Sequence, residues 1–307
     1  MKKIIALVFA AAFCASLFAA QRKVVLIGID GWKGKNLDAY EMPNVKRAMK
    51  EGSFTAHKRS VLPSSSAPNW TSIITGCCVE LHGHTQWGSK TPEIPSRAYS
   101  KYGKCPGIFG VLRGEFPEIK TACFYDWEVI GDLIEAQAAD KVQFLKASSG
   151  GENVVNAALE YMRAEKPGFI FIYIDEPDHT GHKFGFDSPE YMQQVKLLDV
   201  SIGRIFQAVK DNGDYENTAF IIVSDHGGLD KKHGGITLDE MEAPFIAFGK
   251  GIRKNFEITD SVMSFDVAPT IAHIMGVKKV PQVWVGRAVS QMFQPKNPWK
   301  KPARKTR

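Results

Sequence analysis

The sequence lacks several features that would point to particular classes of protein. It has no internal repeat, and after residue 20 it has no apolar run near the ~20 residues that a membrane-spanning helix needs. Its five cysteines do not have the spacing of a zinc knuckle. The net charge is +6, but the tail 294–307 alone contributes six positive charges and the N-terminus two more. Because a nucleic-acid-binding domain carries its basic charge on its folded surface, nucleic acid is not an expected partner.

The first 20 residues have the three parts of a secretory signal peptide. A pair of lysines at 2–3 precedes an apolar run at 4–12, and small residues end the segment at Ala19 and Ala20. A membrane anchor would need a longer apolar run, and polar residues follow at once at 21–23. The pattern therefore predicts a leader at 1–20 and an exported protein, periplasmic or secreted, with no membrane span.

Export would place the remaining cysteines in an oxidising compartment, where disulfide bonds can form. The cysteines that follow the leader are Cys77, Cys78, Cys105 and Cys123. The adjacent pair has poor geometry for a mutual bridge, and the sequence does not determine any other pairing.

Strand-like and helix-like segments alternate along the rest of the chain. The predicted strands are 23–29, 120–125, 169–174, 219–223 and 244–248, and the predicted helices are 43–51, 68–75, 153–165, 189–210 and 264–275. Continuous Val- and Ile-rich runs are typical of buried parallel strands. This pattern predicts an α/β fold with a mostly parallel central sheet and helices on both faces. We expect one domain over 21–293, with a long surface excursion at 87–107 and a disordered basic tail at 294–307.

Three of the predicted strands end in acidic residues. The strand at 23–29 is followed by Asp30, the strand at 169–174 by Asp178 and His182, and the strand at 219–223 by Asp225 and His226. The carboxyl ends of parallel strands share one edge of a sheet, so these side chains are expected to meet there. Carboxylates held so close repel one another unless a cation neutralises them, and mixed Asp and His ligands favour a transition metal such as zinc. A single Asp after a strand is often only a turn or cap residue, but three such ends argue for a metal site.

Ser66 is a candidate nucleophile. It lies in a Ser-rich turn just before Pro68, a residue type favoured in the first turn of a helix. The N-terminus of a helix attracts anions and would help to stabilise a serine alkoxide. Serines before a helix are commonly ordinary caps, so this interpretation depends on the neighbouring metal site.

These segments, taken as a set, resemble the alkaline phosphatase superfamily, and within it the type I phosphodiesterase and nucleotide pyrophosphatase branch. The matching stretches recur in the order of that family between about residues 23 and 276: Gly28–Gly31, Pro63–Asn69, Thr75–Gly76, His82–Gly83, Pro177–Gly185 and Ser224–Gly228. The resemblance implies an alkaline phosphatase-like fold and a two-zinc hydrolase of phosphate esters, with a small-molecule phosphate ester as substrate. It leaves the oligomeric state open.

The resemblance also implies which side chains hold the metals. One zinc ion would be held by Asp30, Ser66, Asp225 and His226, with Ser66 as the catalytic nucleophile. Asp178 and His182 match two ligands of the second. The third ligand lies much farther along the chain in nucleotide pyrophosphatases, and His233 is its best substitute here, as in compact members of the family. The other histidines are not expected to be ligands. His82 matches a structural position of the family, and His273 is expected in the core. His57 and His84 are expected to have structural or surface roles, and His179 is expected to lie next to the ligands.

One position departs from the family. Nucleotide pyrophosphatases have an Asn that helps to hold a phosphoryl oxygen where this chain has Trp87, and this difference puts nucleotide specificity in doubt. Trp87, Tyr99 and Tyr102 could instead form a platform for an aromatic or sugar group.

Several other functions remain alternatives. A phosphomonoesterase of the same superfamily is the nearest. A sulfatase would need an Arg four residues after the nucleophile, where this chain has Trp70. A non-catalytic exported binding module would be expected to have lost some of the ligands. A dinucleotide-binding dehydrogenase is excluded, because Gly28–Gly31 lacks the glycine spacing and places Asp30 where the pyrophosphate would lie.

Overall fold

A computed structural model describes residues 22–35, 37 and 40–294 of the chain. The predicted leader at 1–20 and the predicted tail, apart from its first residue, lie outside the described residues. The described strands form one eight-stranded sheet in the order β4-β3-β5-β1-β6-β7-β2-β8. In chain order the strands are β1 (Lys23–Asp30), β2 (Gly52–Arg59), β3 (Thr121–Tyr125), β4 (Lys141–Phe144), β5 (Phe169–Pro177), β6 (Thr218–Ser224), β7 (Glu242–Gly249) and β8 (Phe256–Glu257).

The centre of the sheet is parallel, as the apolar runs predict. β4, β3, β5, β1 and β6 all run in the same direction, whereas β7 is antiparallel to both of its neighbours, β6 and β2. Both faces of the parallel strands are buried, which explains why their sequences are continuously apolar rather than alternating.

The helices pack on both faces of the sheet, as predicted. In one core, Trp70, Phe109 and Ile271 pack on the face of β1 that carries Leu26. In the other core, Met49, Val155 and Ile202 pack on the opposite face. The helices are α1 (Pro43–Glu51), α2 (Ser66–Thr75), α3 (Val79–His82), α4 (Ile108–Glu115), α5 (Ile130–Leu133), α6 (Glu152–Glu165), α7 (Asp178–Phe184), α8 (Pro189–Asp211), α9 (Leu238–Met241) and α10 (Val267–Met275).

The strands of the sheet lie between residues 23 and 257, and the single domain at 21–293 stays a prediction.

Two elements near the site were not predicted. β2 is a full strand, and α7 begins directly after β5. Residues 87–107 form no helix or strand, in agreement with the predicted excursion.

The four cysteines after the leader are free thiols in this structure. Cys77 and Cys78 do not pair with each other, as their adjacency predicts. The sulfur atoms of Cys77 and Cys105 approach to 3.6 Å inside the core.

Candidate metal centre

The carboxyl ends of β1, β5 and β6 bring the three acid-bearing ends together. Near the end of β1, Ile29 pairs with Ile174 of β5 on one side and with Ser224 of β6 on the other. The backbone N–H of Gly31 then donates to Asp225 Oδ1 at 3.2 Å. The predicted meeting of the acidic residues at one edge of the sheet therefore follows directly from the parallel register.

Ser66 is the first residue of α2 and points into this edge. The helix begins two residues earlier than predicted, so Ser66 lies at its N-terminal end rather than before it. Its side chain is buried, with Oγ 3.1 Å from His226 Nε2 and 3.5 Å from Asp30 Oδ1. The serine is therefore placed where both a helix N-terminus and the candidate metal ligands can act on its oxygen.

Asp30, Asp225 and His226 form the first group of candidate ligands. His226 Nε2 lies 3.1 Å from Asp225 Oδ2 and 3.5 Å from Asp30 Oδ1. His226 Nδ1 lies 2.8 Å from the carbonyl oxygen of Gly227. Donation from Nδ1 to this carbonyl fixes the ring and leaves the lone pair of Nε2 directed at the carboxylates, as a metal ligand requires.

Asp178, His182 and His233 form the second group. Asp178 and His182 are four residues apart on α7 and therefore lie on one face, with Asp178 Oδ2 3.2 Å from His182 Nε2. His233 Nε2 lies 3.8 Å from the other carboxylate oxygen of Asp178. The Nδ1 atoms of both histidines lie beside backbone carbonyls, at 2.9 Å from Lys231 and 3.1 Å from Ser64. Both rings are thus held with Nε2 directed toward the carboxylate of Asp178, where a metal ligand would be needed.

The two groups adjoin each other. The rings of His226 and His233 stack with their centroids 3.8 Å apart. Potential ligand atoms lie within 4.8 Å of one another in each of two sets, one of Asp178, His182 and His233, the other of Asp30, Asp178 and His226. The structure brings all seven predicted ligand residues into one region.

The carboxylates of the site are electrostatically crowded. Burial, and then the negative charges of Asp225 and Asp178, raise the pKa of Asp30 well above its usual value. Burial, followed by Asp178, raises the pKa of Asp225 in the same way. For Asp178, burial acts upward, but the hydrogen bond from His182 and the nearby imidazoles outweigh it and lower the pKa. That hydrogen bond also raises the pKa of His182 to about 9.

Two buried oxygen atoms of the site show whether these residues fit a metal ion. Among the described residues, Asp178 Oδ1 and Asp225 Oδ2 are buried without a hydrogen-bond partner. Such orphaned acceptors cost free energy, and a divalent cation would satisfy both and offset the carboxylate repulsion. The donor set of carboxylate oxygens and imidazole nitrogens is one that transition metals prefer. The residues present therefore fit bound metal.

This crowding predicts the behaviour of an Asp225→Asn variant in the absence of metal. Asparagine removes a buried charge, so we expect the metal-free variant to be more stable than the metal-free wild type by on the order of 1–3 kcal/mol at pH 8. Because the pKa of Asp225 is raised on folding, its ionised form costs stability as pH increases, so the advantage should shrink at pH 5. Thermal unfolding in the presence of a chelator measures both values.

Asp199→Asn is the matched control for that substitution. Asp199 is equally buried but lies on α8, where it accepts hydrogen bonds from Val45 N at 2.8 Å and Asn44 Nδ2 at 2.9 Å. Asparagine should destabilise the protein there. A metal-free Asp225→Asn variant that is less stable than wild type at pH 8 would contradict the crowding argument.

A cavity of about 490 Å³ opens onto the site. The candidate nucleophile and three candidate ligands form one part of its wall, and two tryptophans contribute another part. Its lining residues are Ser65, Ser66, Trp87, Trp127, Asp175, Asp178, His179, His182, Lys232 and His233. A phosphate group at the ligands would leave room for an organic substituent beside the tryptophans.

The predicted aromatic platform differs in composition from the observed wall. Trp87 lines the cavity and is 66% exposed. The hydroxyl of Tyr99 instead accepts a backbone hydrogen bond within its own loop, and Tyr102 packs against the core. The second aromatic residue of the wall is Trp127, which follows β3 and stacks on Tyr173 with ring centroids 6.2 Å apart. Sequence reasoning missed it because the neighbour of Tyr173 depends on strand order.

Lys58 is a further buried group behind the site. Its Nζ donates to the carbonyl oxygen of Asp225 at 3.2 Å and to Ser264 Oγ at 3.0 Å. Ser60 Oγ donates to the same carbonyl at 2.6 Å. Burial lowers the pKa of Lys58 to about 7, against the opposing charges of Asp225 and Asp266. These contacts hold the backbone of the Asp225 turn from the side of β2.

The other histidines have the expected surroundings with one adjustment. His82 is buried against Ser72 Oγ at 3.0 Å, which fits a structural role. His57 is on the surface beside Glu242, and His179 lines the cavity. His273 was expected in the core, but it is half-buried.

The chain has an alkaline phosphatase-like α/β fold. Its sheet is mostly parallel and flanked by helices, and carboxylates and imidazoles cluster at the carboxyl ends of the strands. The chain belongs to the type I phosphodiesterase/nucleotide pyrophosphatase family, whose sequence model matches residues 24–244. The family predicted from the motifs is thereby confirmed.

Curated relatives agree with this membership. The chain is 28% identical over 215 residues to human bis(5'-adenosyl)-triphosphatase ENPP4, covering 67% of this chain and 47% of that protein. It is 26% identical over 233 residues to the venom phosphodiesterase of Macrovipera lebetinus, covering 71% of this chain and 27% of the relative. The chain therefore spans less than half the length of these relatives.

Solved structures show the same fold. Murine ectonucleotide pyrophosphatase/phosphodiesterase 5, in an inactive form in complex with AMP, matches with a TM-score of 0.70 at 17% identity, over 85% of this chain and 96% of that one. A 2-O GAG sulfatase matches with a TM-score of 0.71 at 13% identity, over 88% and 73%. Within the described residues, no helix has the length and apolar character needed to span a bilayer.

Proposed function

We propose that the protein is an exported hydrolase of phosphate esters, of the phosphodiesterase or nucleotide pyrophosphatase type, that uses a serine nucleophile and two zinc ions. The observation that carries this proposal is the position of Ser66 Oγ, 3.1 Å from His226 Nε2 and in the wall of the cavity that the second ligand group also lines. The predicted leader at 1–20 and the likeness to a venom phosphodiesterase support export, to the periplasm or the medium.

Each residue of the site has a role in this proposal. Asp30, Ser66, Asp225 and His226 would hold one zinc ion, and Asp178, His182 and His233 the other. Bound zinc supplies Lewis acidity, which lowers the pKa of a hydroxyl and stabilises negative charge on phosphoryl oxygens.

The reaction would proceed in two halves. Ser66 Oγ attacks phosphorus as its proton passes to solvent, and the P–O bond to the leaving alcohol breaks, the departing oxygen taking up a proton. With a diester the intermediate is a serine-linked phosphodiester that keeps the second organic group, and with a monoester it is a phosphoserine. Water then attacks the same phosphorus and releases the serine. The N-terminal amides of α2 face the developing negative charge throughout.

The substrate class is a small-molecule phosphate ester. The cavity has space for an organic group next to Trp87 and Trp127, which favours an ester with a flat or bulky substituent. A phosphomonoesterase is the alternative, because Trp87 occupies the position at which nucleotide pyrophosphatases have an Asn. A sulfatase has the support of one structural neighbour, but Trp70 replaces the Arg that the sulfatase motif needs.

An activity screen of zinc-loaded protein tests the proposal. Bis-p-nitrophenyl phosphate, p-nitrophenyl phosphate, dinucleoside polyphosphates and p-nitrophenyl sulfate should be compared at equal concentration. The proposal expects the diester to be hydrolysed fastest. Faster hydrolysis of the monoester would favour the alternative. Zinc binding without hydrolysis of any ester would indicate a binding module.

Substitution of Trp87 tests its contact with the organic group. For Trp87→Ala we expect the KM for bis-p-nitrophenyl phosphate to rise about tenfold with kcat changed less than twofold, since aromatic stacking is worth ~0.5–1.5 kcal/mol beyond the loss of buried area. Steady-state kinetics measure the split. Tyr99→Ala, which removes a 56% exposed ring elsewhere in the same excursion, serves as the control. An unchanged KM for Trp87→Ala would show that the substituent lies elsewhere.

A further inference from the structure

We infer that Tyr173 and Trp70 are positioning residues that hold one carboxylate oxygen of Asp30, so that its other oxygen faces Ser66 and His226, where it would serve as a metal ligand. This inference rests on the proposed function, because it assigns how one ligand of that site is oriented. Neither residue belongs to the ligand set that the motifs imply.

The two oxygens of Asp30 have different surroundings. Oδ2 accepts a hydrogen bond from Tyr173 OH at 2.5 Å and another from Trp70 Nε1 at 2.8 Å. Oδ1 faces Ser66 Oγ and His226 Nε2, both at 3.5 Å. Two donors thus saturate Oδ2 and fix the plane of the carboxylate, while Oδ1 keeps its lone pairs for a ligand role.

The register of the sheet explains why these two donors reach Asp30. Gly28 and Asp30 are two residues apart on β1 and point to the same face, and Tyr173 is the partner of Gly28 on β5. A Cβ at Gly28 would lie 2.6 Å from Trp70 Cη2, so only glycine leaves room for the indole ring there. The rings of Trp70 and Tyr173 then meet edge to face, 5.0 Å apart at 80°.

Trp70 also connects the ligand to the nucleophile. It lies one helical turn after Ser66 on α2, and its side chain is fully buried. The hydrogen bond from Trp70 to Asp30 therefore fixes the N-terminus of the nucleophile helix against the end of β1. A displacement of either donor would change the distance between Ser66 Oγ and Asp30 Oδ1, which the reaction needs to be constant.

Tyr173→Phe tests this role because it removes only the hydroxyl group. We expect the zinc affinity of one of the two sites to fall 10–100-fold, as for other groups that orient metal ligands, with the affinity of the other site unchanged. Competitive titration with a zinc chelator measures both affinities. In the same variant, kcat for the diester should fall at least tenfold with KM changed less than twofold.

Tyr215→Phe is the matched control, since its hydroxyl bonds Glu51 at 3.0 Å, far from the site. It should leave zinc binding and kinetics unchanged. A Tyr173→Phe variant with wild-type affinity at both zinc sites would overturn the inference, and so would an equal loss at both sites, which indicates a general structural role.

Two further outcomes separate this inference from the proposed function. If the wild type binds zinc but hydrolyses no ester, the proposed function fails, while the zinc titration of Tyr173→Phe still decides the inference. Trp70→Phe provides a second test, with the same expected loss at one zinc site. If the Trp70→Phe variant fails to fold, the zinc titration of Tyr173→Phe alone decides whether the inference holds.

Discussion

Ser66→Ala should lower kcat for a phosphodiester by a factor on the order of 10⁴ or more while both zinc ions stay bound. The hydroxyl is the atom that forms the bond to phosphorus, so its removal eliminates the first half of the reaction rather than slowing it. The remaining ligands of its zinc ion, which are Asp30, Asp225 and His226, are still in place. Steady-state kinetics and zinc analysis of the purified variant measure the two effects.

Ser53→Ala is a suitable control because Ser53 is also fully buried and bonds a backbone carbonyl, at Arg253, away from the site. It should keep wild-type kcat. If Ser66→Ala retains turnover and zinc, another group attacks phosphorus, and the serine mechanism is wrong. If the variant loses its zinc, the experiment should be repeated with Ser66→Thr, which retains a hydroxyl and should restore both zinc binding and part of the activity.

The sequence predicted the centre of the fold well because the parallel strands are buried on both faces. Their continuous apolar runs at 23–29, 169–174 and 219–223 correspond to β1, β5 and β6, whose boundaries differ from the predicted ones by at most three residues. β2 was missed for the opposite reason. Apart from Gly52, its only apolar residues are Phe54 and Ala56, and it ends in the polar run His57–Arg59, although Lys58 is fully buried here.

The candidate site was predictable where it depends on strand direction alone. Acids at the carboxyl ends of parallel strands must share an edge, so Asp30 and Asp225 could be brought together from the sequence. The groups that orient them could not, because they depend on which strands are neighbours. Tyr173 reaches Asp30 only because β5 pairs with β1 in a register that places it opposite Gly28.

The assignment of His233 is the part of the ligand set that most needs an experiment, because the corresponding ligand of nucleotide pyrophosphatases lies much farther along the chain. His233→Ala should remove one zinc ion and lower kcat/KM by about 10³-fold, since three ligands are the usual minimum for a catalytic zinc ion. Its Nε2 lies 3.8 Å from Asp178 Oδ1, the buried oxygen that lacks a hydrogen-bond partner. Zinc content by mass spectrometry and diester kinetics report the two losses.

His57→Ala provides the comparison, because that imidazole is exposed on β2 and pairs with Glu242 at 2.8 Å. It should keep two zinc ions and wild-type kinetics. The pattern of loss in His233→Ala then identifies the ligand group: the zinc that remains should be the one whose affinity Tyr173→Phe weakens, since Tyr173 acts on Asp30 and His233 on Asp178. A His233→Ala variant with two bound zinc ions would remove His233 from the ligand set and require another third ligand beside Asp178 and His182.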